Sequence, residues 1–187
     1  MIVGTHQLQH DAQAREATLT ERVDALYVEH HRRVYALALN FGGGDHAWAE
    51  DVTQDAFFTL LARIGELSEG CDPWPWLRRV TINRCISQQR RHRVRHSPWV
   101  RWLLREQPAE PQPELELDVS DKLRRVWAAA KQLPSKQRAV FALRYFEDQS
   151  QTAIAKTLGY SEGYVSKLLR RAQERVRALA QLEDDNG

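Results

Sequence analysis

The sequence predicts an all-α protein: two small helical domains joined by a flexible linker, the C-terminal one ending in a helix-turn-helix. Three observations carry this expectation. Apolar residues recur at helical spacing through most of the chain, with no alternating strand pattern of useful length. Prolines and one-sided charge gather over residues 97–117, as in an extended tether. Residues Leu133 to Ala180 carry caps and stops at the spacing of two helices meeting at a short turn.

Residues 1–20 hold His6, His10, Asp11 and Glu16 without an apolar block, so they read as a loose leader and not a secretory signal. The first helix is expected over Glu21 to Asn40, where Leu26, His30, Val34, Leu37 and Phe41 recur at helical spacing. Gly42, Gly43 and Gly44 break it. A second helix runs from about Asp45 to Ile64, with Val52, Ala56, Leu60, Leu61 and Ile64 inward. Gly65 to Pro75 form a loop holding Gly70, Pro73 and Pro75. A third helix carries Trp76, Leu77, Val80, Asn83 and Ile86, then enters a run of arginines that closes a domain spanning 21–96.

Pro98, Pro108, Pro111 and Pro113 mark the linker. Within it, Trp99 to Leu104 is too apolar for a solvated tether and is expected to dock as a short helix, on a partner or on the chain itself. The second domain covers 118–182, with a tail at 183–187. Leu123, Val126, Trp127 and Ala130 line one helix; Pro134 restarts the chain, and Ala139, Val140, Leu143 and Phe146 line the next. Ser150 then caps a short helix over Gln151 to Leu158. Gly159 stops it, because glycine tolerates the left-handed conformation a helix end needs. Ser161 caps a longer helix running toward Leu179. Ala155 is small where the two helices cross, and Ile154, Leu158, Val165, Leu168 and Leu169 form the seam.

Composition narrows the function. Mean hydropathy is −0.59, and no apolar run approaches the ~20 residues of a spanning helix, so no membrane insertion is expected. Cys71 and Cys85 lack metal-site spacing, no cofactor is implied, and two lone thiols suit a reducing cytoplasm. The net charge of +2 conceals a sharp segregation. Between Pro73 and Arg105 there is no acid, but there are nine arginines: 78, 79, 84, 90, 91, 93, 95, 101 and 105. Glu106, Glu110, Glu114, Glu116, Asp118 and Asp121 follow without a base among them. Unpaired arginines repel one another unless an anion is near, and nucleic-acid phosphate repays them by releasing counterions. The last helix adds Ser161, Tyr164, Ser166, Lys167, Arg170 and Arg171 on or near its outer faces, which suits a helix entering the major groove of duplex DNA.

Three segments, in order, resemble the extracytoplasmic-function (ECF) branch of the sigma-70 family of bacterial RNA polymerase. They are Ala49 to Phe57 (AEDVTQDAF), Trp76 to Asn83 (WLRRVTIN), and Leu133 to Arg138 (LPSKQR) followed by Leu143-Arg144-Tyr145. The resemblance covers about residues 22–180. It implies that Glu50, Asp51, Gln54 and Asp55 face core RNA polymerase. It implies too that the Leu67–Pro75 loop and the third helix capture a base of the opened non-template strand, with Asn83 at a base-contacting position. Arg78, Arg79, Arg84, Arg90 and Arg91 would then hold that strand's phosphates, with Trp74 as a stacking candidate and Trp76 in the core. Ser161, Tyr164, Lys167 and Arg171 would read the upstream promoter element. An anti-sigma factor is the regulator the family leads one to expect.

The recognition helix departs from the family pattern at Tyr164, at Ser166-Lys167 and at Leu168, so a different base preference is expected, with Leu168 in the core. The first helix of the motif also lacks the usual acidic pair, having Gln151-Thr152-Ala153 after its cap. Two other classes compete with this one. A stand-alone helix-turn-helix regulator accounts for 118–180 but leaves the acidic segment and the Asn83 segment without purpose. A metal-dependent DNA enzyme would need carboxylates converging on one point. Asp51 and Asp55 share a face, but no further ligand completes a site.

Overall fold

The computed structural model describes residues 3–68, 70–95 and 121–184, with side chains over 19–68, 70–91 and 123–179. Seven α-helices appear among the described residues, with no strand. They are α1 (Val3–Gly42), α2 (His46–Arg63), α3 (Trp74–Arg95), α4 (Asp121–Lys131), α5 (Ser135–Tyr145), α6 (Gln151–Leu158) and α7 (Glu162–Asp184); a short 3-10 turn, Ile64–Glu66, ends α2. The expected linker at 97–117, the Trp99–Leu104 stretch and residues 185–187 of the expected tail at 183–187 lie outside the described residues; Glu183 and Asp184 end the last helix.

The first unit is an α1–α2 hairpin with α3 laid against both helices. Val34, Leu37, Ala38 and Phe41 of α1 meet Val52, Ala56, Phe57 and Leu60 of α2, and Leu77, Ile82 and Cys85 of α3 close the core. Each large apolar side chain so buried contributes ~1.5–3 kcal/mol. The two buried threonines of this core satisfy their hydroxyls within their own helices: Thr53 donates to the Ala49 carbonyl at 2.7 Å, and Thr81 to that of Leu77 at 2.8 Å. Asp45 caps α2 by accepting the Trp48 amide at 2.9 Å.

Helix α1 departs from expectation. It starts at Val3 and not near Glu21, so the segment read as a loose leader is helical. Its run of Ala, Gln, Arg and Glu (Ala12 to Glu16) has high intrinsic helix propensity, a signal that a search for apolar blocks passes over.

In the second unit α4 and α5 each pack on α7, and α6 turns into α7. The caps fall where expected. The Ser150 hydroxyl accepts the Ala153 amide at 3.1 Å, Gly159 is left-handed at φ 67°, and the Ser161 hydroxyl accepts the Tyr164 amide at 3.3 Å. Ile154, Ala155, Val165, Leu168 and Leu169 are buried along the seam, Leu168 among them as expected.

The two units pack against each other. Trp127 of α4 seats over the Gly43-Gly44 turn, where φ is 69° and 88°. A Cβ on Gly44 would stand 2.7 Å from the Trp127 ring, so glycine is required both for the turn and for the approach. Arg138 of α5, itself buried, donates to the Phe41 carbonyl at 3.4 Å and to the Lys131 carbonyl. Gln89 of α3 donates to the Leu133 carbonyl at 3.4 Å.

Candidate nucleic-acid interface

Helix α3 presents the first basic surface. Asp72 caps it, accepting the Trp74 amide at 2.9 Å, and Pro75 sits in the first turn, where its missing N–H costs nothing. With Leu77, Thr81, Ile82, Cys85 and Gln89 buried, the opposite side exposes Arg79, Asn83, Arg90 and Arg91. Arg79, Asn83 and Arg90 follow helical spacing and lie on one face. Two arginines of the expected set are held differently. Arg84 is half-buried and donates to the Thr59 hydroxyl at 3.1 Å. Arg78 is half-buried as well; desolvation lowers its pKa, and the Glu147 carboxylate of the second unit opposes that shift.

Trp74 corrects the sequence reading. It is 5% exposed, the Arg33 guanidinium lies 3.9 Å from its ring centroid, and His30 stacks on it at 6.1 Å. A ring so enclosed is core and offers no face to a base. Trp76 is half-buried against the same core, as expected.

Ahead of α3 the loop forms a cavity of about 530 Å³. One wall is formed by Leu67, Gly70, Cys71, Asp72 and Pro73; the other is Arg22, Leu26 and Glu29 of α1. Asn83 is not among its lining residues. The loop expected over Leu67 to Pro75 ends at Pro73, because α3 begins at Trp74.

On the far side of α2, Glu50, Asp51 and Gln54 line a groove of about 580 Å³ between α1 and α2. Asp55, grouped with them by sequence, points elsewhere and accepts the Gln88 amide of α3 at 3.1 Å. Tyr27 and His31 on α1 and Phe58 (61% exposed) on α2 complete this groove without having been foreseen, and Leu61, expected to face inward, is instead 48% exposed and lines it. The signal was present, since Phe58 and Leu61 continue the Gln54 face at i+4 and i+7.

The second basic surface is the outer side of α7. Ser161, Tyr164, Ser166, Lys167, Arg170 and Arg171 are all exposed, as expected. The structure adds Lys136 of α5, whose ammonium lies 5.6 Å from the Tyr160 ring and 5.8 Å from the Tyr164 ring. Tyr160 and Tyr164 meet edge to face at 5.2 Å. Lys136 thus brings a cation to the start of α7 from a different helix. Cys71 is exposed and Cys85 buried, both unpaired, and no helix among the described residues is long and apolar enough to cross a membrane.

A three-helix unit with a basic face is thus followed by a helix-turn-helix unit with a second one. Residues 26–95 match Sigma-70 region 2 and residues 129–178 match Sigma-70 region 4. The chain belongs to the sigma-70 family of RNA polymerase sigma factors. It is 32% identical over 92% of its length to "Probable RNA polymerase sigma factor RfaY" of Xanthomonas campestris pv. campestris, covering 42% of that protein. It is 29% identical over 96% of its length to "ECF RNA polymerase sigma factor BldN" of Streptomyces coelicolor, covering 66% of it. The chain therefore spans less than two thirds of these two relatives. In fold it is similar to the sigma factor RpoE of Bartonella quintana, solved in complex with the anti-sigma factor NepR. The TM-score is 0.65 at 20% identity, over 84% of this chain and 96% of that one.

Proposed function

We propose that this chain is an alternative sigma factor of the ECF kind, which binds core RNA polymerase and directs promoter recognition and DNA opening. The observation that carries the reading is the pairing of two separate DNA-suited surfaces on two matched sigma regions: Arg79, Asn83, Arg90 and Arg91 on α3, and Tyr164, Lys167, Arg170 and Arg171 on α7. A stand-alone regulator has use for the second alone.

Each part has a physical task. The groove holding Glu50, Asp51 and Gln54 between apolar Tyr27, Phe58 and Leu61 offers a polymerase helix both charge complementarity and apolar area. The α3 stripe holds the opened non-template strand through phosphate contacts, with Asn83 able to donate and accept at a base edge. The α7 face reads the upstream element in the major groove, and Arg171 and Lys136 supply cations there. The chain lends recognition to a polymerase that performs the chemistry, and so works in the cytoplasm without enzymatic activity of its own. Structures similar in fold were solved with the anti-sigma factor NepR and with the cytosolic domain of CnrY, and an anti-sigma factor is the natural restraint here.

Size-exclusion chromatography with core RNA polymerase tests the reading. Co-elution at one chain per polymerase supports it; separate elution, with duplex binding retained by the chain alone, supports a stand-alone regulator.

A further inference from the structure

We propose that Arg33 of α1 and Arg78 of α3 form a phosphate site that Glu147 of the second unit occupies in the packed chain, so that a DNA strand fills it only when the two units part. The inference rests on the proposed function, which supplies the strand.

One apolar cluster runs through both units, holding Leu77 and Ile82 of α3 together with Val140 and Leu143 of α5, and both α5 and α6 lie against α3. The bonds from Trp127 to Asn40 and from Gln89 to the Leu133 carbonyl cross the same seam. Arg78 is half-buried in this arrangement, and its Nε is buried without a hydrogen-bond partner. Arg33 is exposed beside it, its guanidinium fixed over the Trp74 ring at 3.9 Å from the centroid. Burial lowers the Arg78 pKa, and the charge of Arg33 adds to the fall. Two neighbouring cations of this kind repel one another unless an anion is near.

Two carboxylates face Arg78. Asp72 belongs to the first unit and is committed to the α3 cap, where it accepts the Trp74 amide. Glu147 comes from the second unit, in the turn between α5 and α6. That turn passes through Asp148 at φ 47° and is tied back by Gln149, whose backbone amide donates to the Leu143 carbonyl at 3.0 Å and whose side chain donates to the Glu147 carbonyl at 3.2 Å. The Glu147 carboxylate is thus held toward Arg33 and Arg78 by a fixed turn.

The contact is a weak one. Burial raises the Glu147 pKa against the pull of Arg33 and Arg78, as it lowers that of Arg78. Both charged forms are penalised where they sit, and their attraction does not fully offset the desolvation. A phosphodiester suits the arginines better: it stays ionised, and its oxygens match the guanidinium fork. Arg79, Asn83 and Arg90 stay exposed in the packed chain, so Arg78 is the α3 cation that packing of the second unit withholds.

The test measures binding of a fluorescein-labelled single-stranded DNA by the full chain. Asn40→Ala removes the acceptor of the Trp127 indole and leaves α3 untouched. It is expected to bind the strand roughly threefold to tenfold more tightly, because apparent affinity follows the fraction of open chain. Arg33→Ala or Arg78→Ala, added to Asn40→Ala, should cancel the gain and reduce the salt slope by about 1. Arg32→Ala, which removes an exposed charge one residue away, should keep most of it. In the wild-type chain, saturation with the strand should speed amide exchange over residues 146–149 as Glu147 returns to water. Unchanged or slower exchange there would overturn the inference. So would the absence of any gain in both Asn40→Ala and Trp127→Ala, a gain that survives loss of both arginines, or an equal loss from Arg32→Ala. None of these readouts needs polymerase. A chain that meets them without binding core polymerase keeps the masked site and loses the sigma reading, whereas one that binds polymerase and fails them loses this inference alone.

Discussion

The indole nitrogen of Trp127 donates to the side-chain oxygen of Asn40 at 3.1 Å, joining α4 to the end of α1 across 87 residues of sequence. Trp127 is 8% exposed, and its ring lies on the Gly43-Gly44 turn immediately beyond Asn40. The two sigma regions therefore meet through a side-chain hydrogen bond, a glycine turn and the buried Arg138, with Phe41 beneath that guanidinium at 5.5 Å from its ring centroid. Yet Arg79, Asn83, Arg90 and Arg91 on α3, and Lys167, Arg170 and Arg171 on α7, stay exposed in the packed arrangement.

Replacing the tryptophan should undo this junction. Trp127→Ala is expected to cost about 3–5 kcal/mol, as for other buried aromatic truncations. Gly44→Ala should weaken the same contact from the other side, because it adds a left-handed backbone penalty of ~1–2 kcal/mol to a clash with the ring. Urea midpoints give the cost, and small-angle scattering should show a larger radius of gyration for both. A radius unchanged in both variants would mean that the units do not depend on this contact.

Glu147 makes the stability of the chain depend on pH. Burial pushes its carboxyl above the ordinary value of about 4.5, while Arg33 and Arg78 pull it down. The folded chain therefore takes up this proton more readily than the unfolded chain, so the group's contribution falls as pH rises from about 4.5 through the raised folded value. Glu147→Gln should be more stable than wild type at pH 7 and match it well below pH 4. Urea midpoints across pH 3–8 read this out; a Gln variant that is less stable at pH 7 would show that the arginines outweigh the burial.

Much of the local structure was legible because its causes are local. Ser150, Gly159 and Ser161 act on neighbouring amides and on their own φ, so residue type and spacing suffice to place α6 and α7. Trp74 was misread for a related reason: flanked by Pro73 and Pro75 it looked like loop, whereas Pro75 is at home in a helical first turn. The bond from Trp127 to Asn40, the reach of Arg22 Nη2 to the Leu67 and Ser68 carbonyls and the turning of Asp55 toward Gln88 depend on distant groups brought together by folding. No window of sequence carries such pairings. The exposure of the α7 residues and of the α3 stripe was readable from charge and period; the cavity wall that α1 forms was not.

The acidic segment of α2 should divide into two behaviours. Asp51→Arg reverses charge inside the groove and is expected to weaken polymerase binding at least tenfold without altering thermal unfolding. Asp55→Arg removes the acceptor of the Gln88 amide and should lower the melting temperature, with a smaller direct effect on polymerase. Equal effects of both on polymerase affinity, at equal stability, would restore Asp55 to the docking face.

At the upstream element, Arg171→Ala and Lys136→Ala should each weaken duplex binding. Loss at one base position of ~1–3 kcal/mol would mark direct readout, whereas a uniform loss with a salt slope reduced by about 1 would mark a phosphate contact. Lys136 is expected to give the second pattern. Full protection of the element by the Lys136→Ala chain would remove that lysine from the interface.

Transcription by core RNA polymerase from a library of supercoiled promoter fragments, with and without the purified chain, tests sigma activity most directly. New start sites should appear only with the chain present and should share one upstream element and one opened segment. Start sites identical with and without the chain, at concentrations where it binds duplex DNA, would contradict a sigma function.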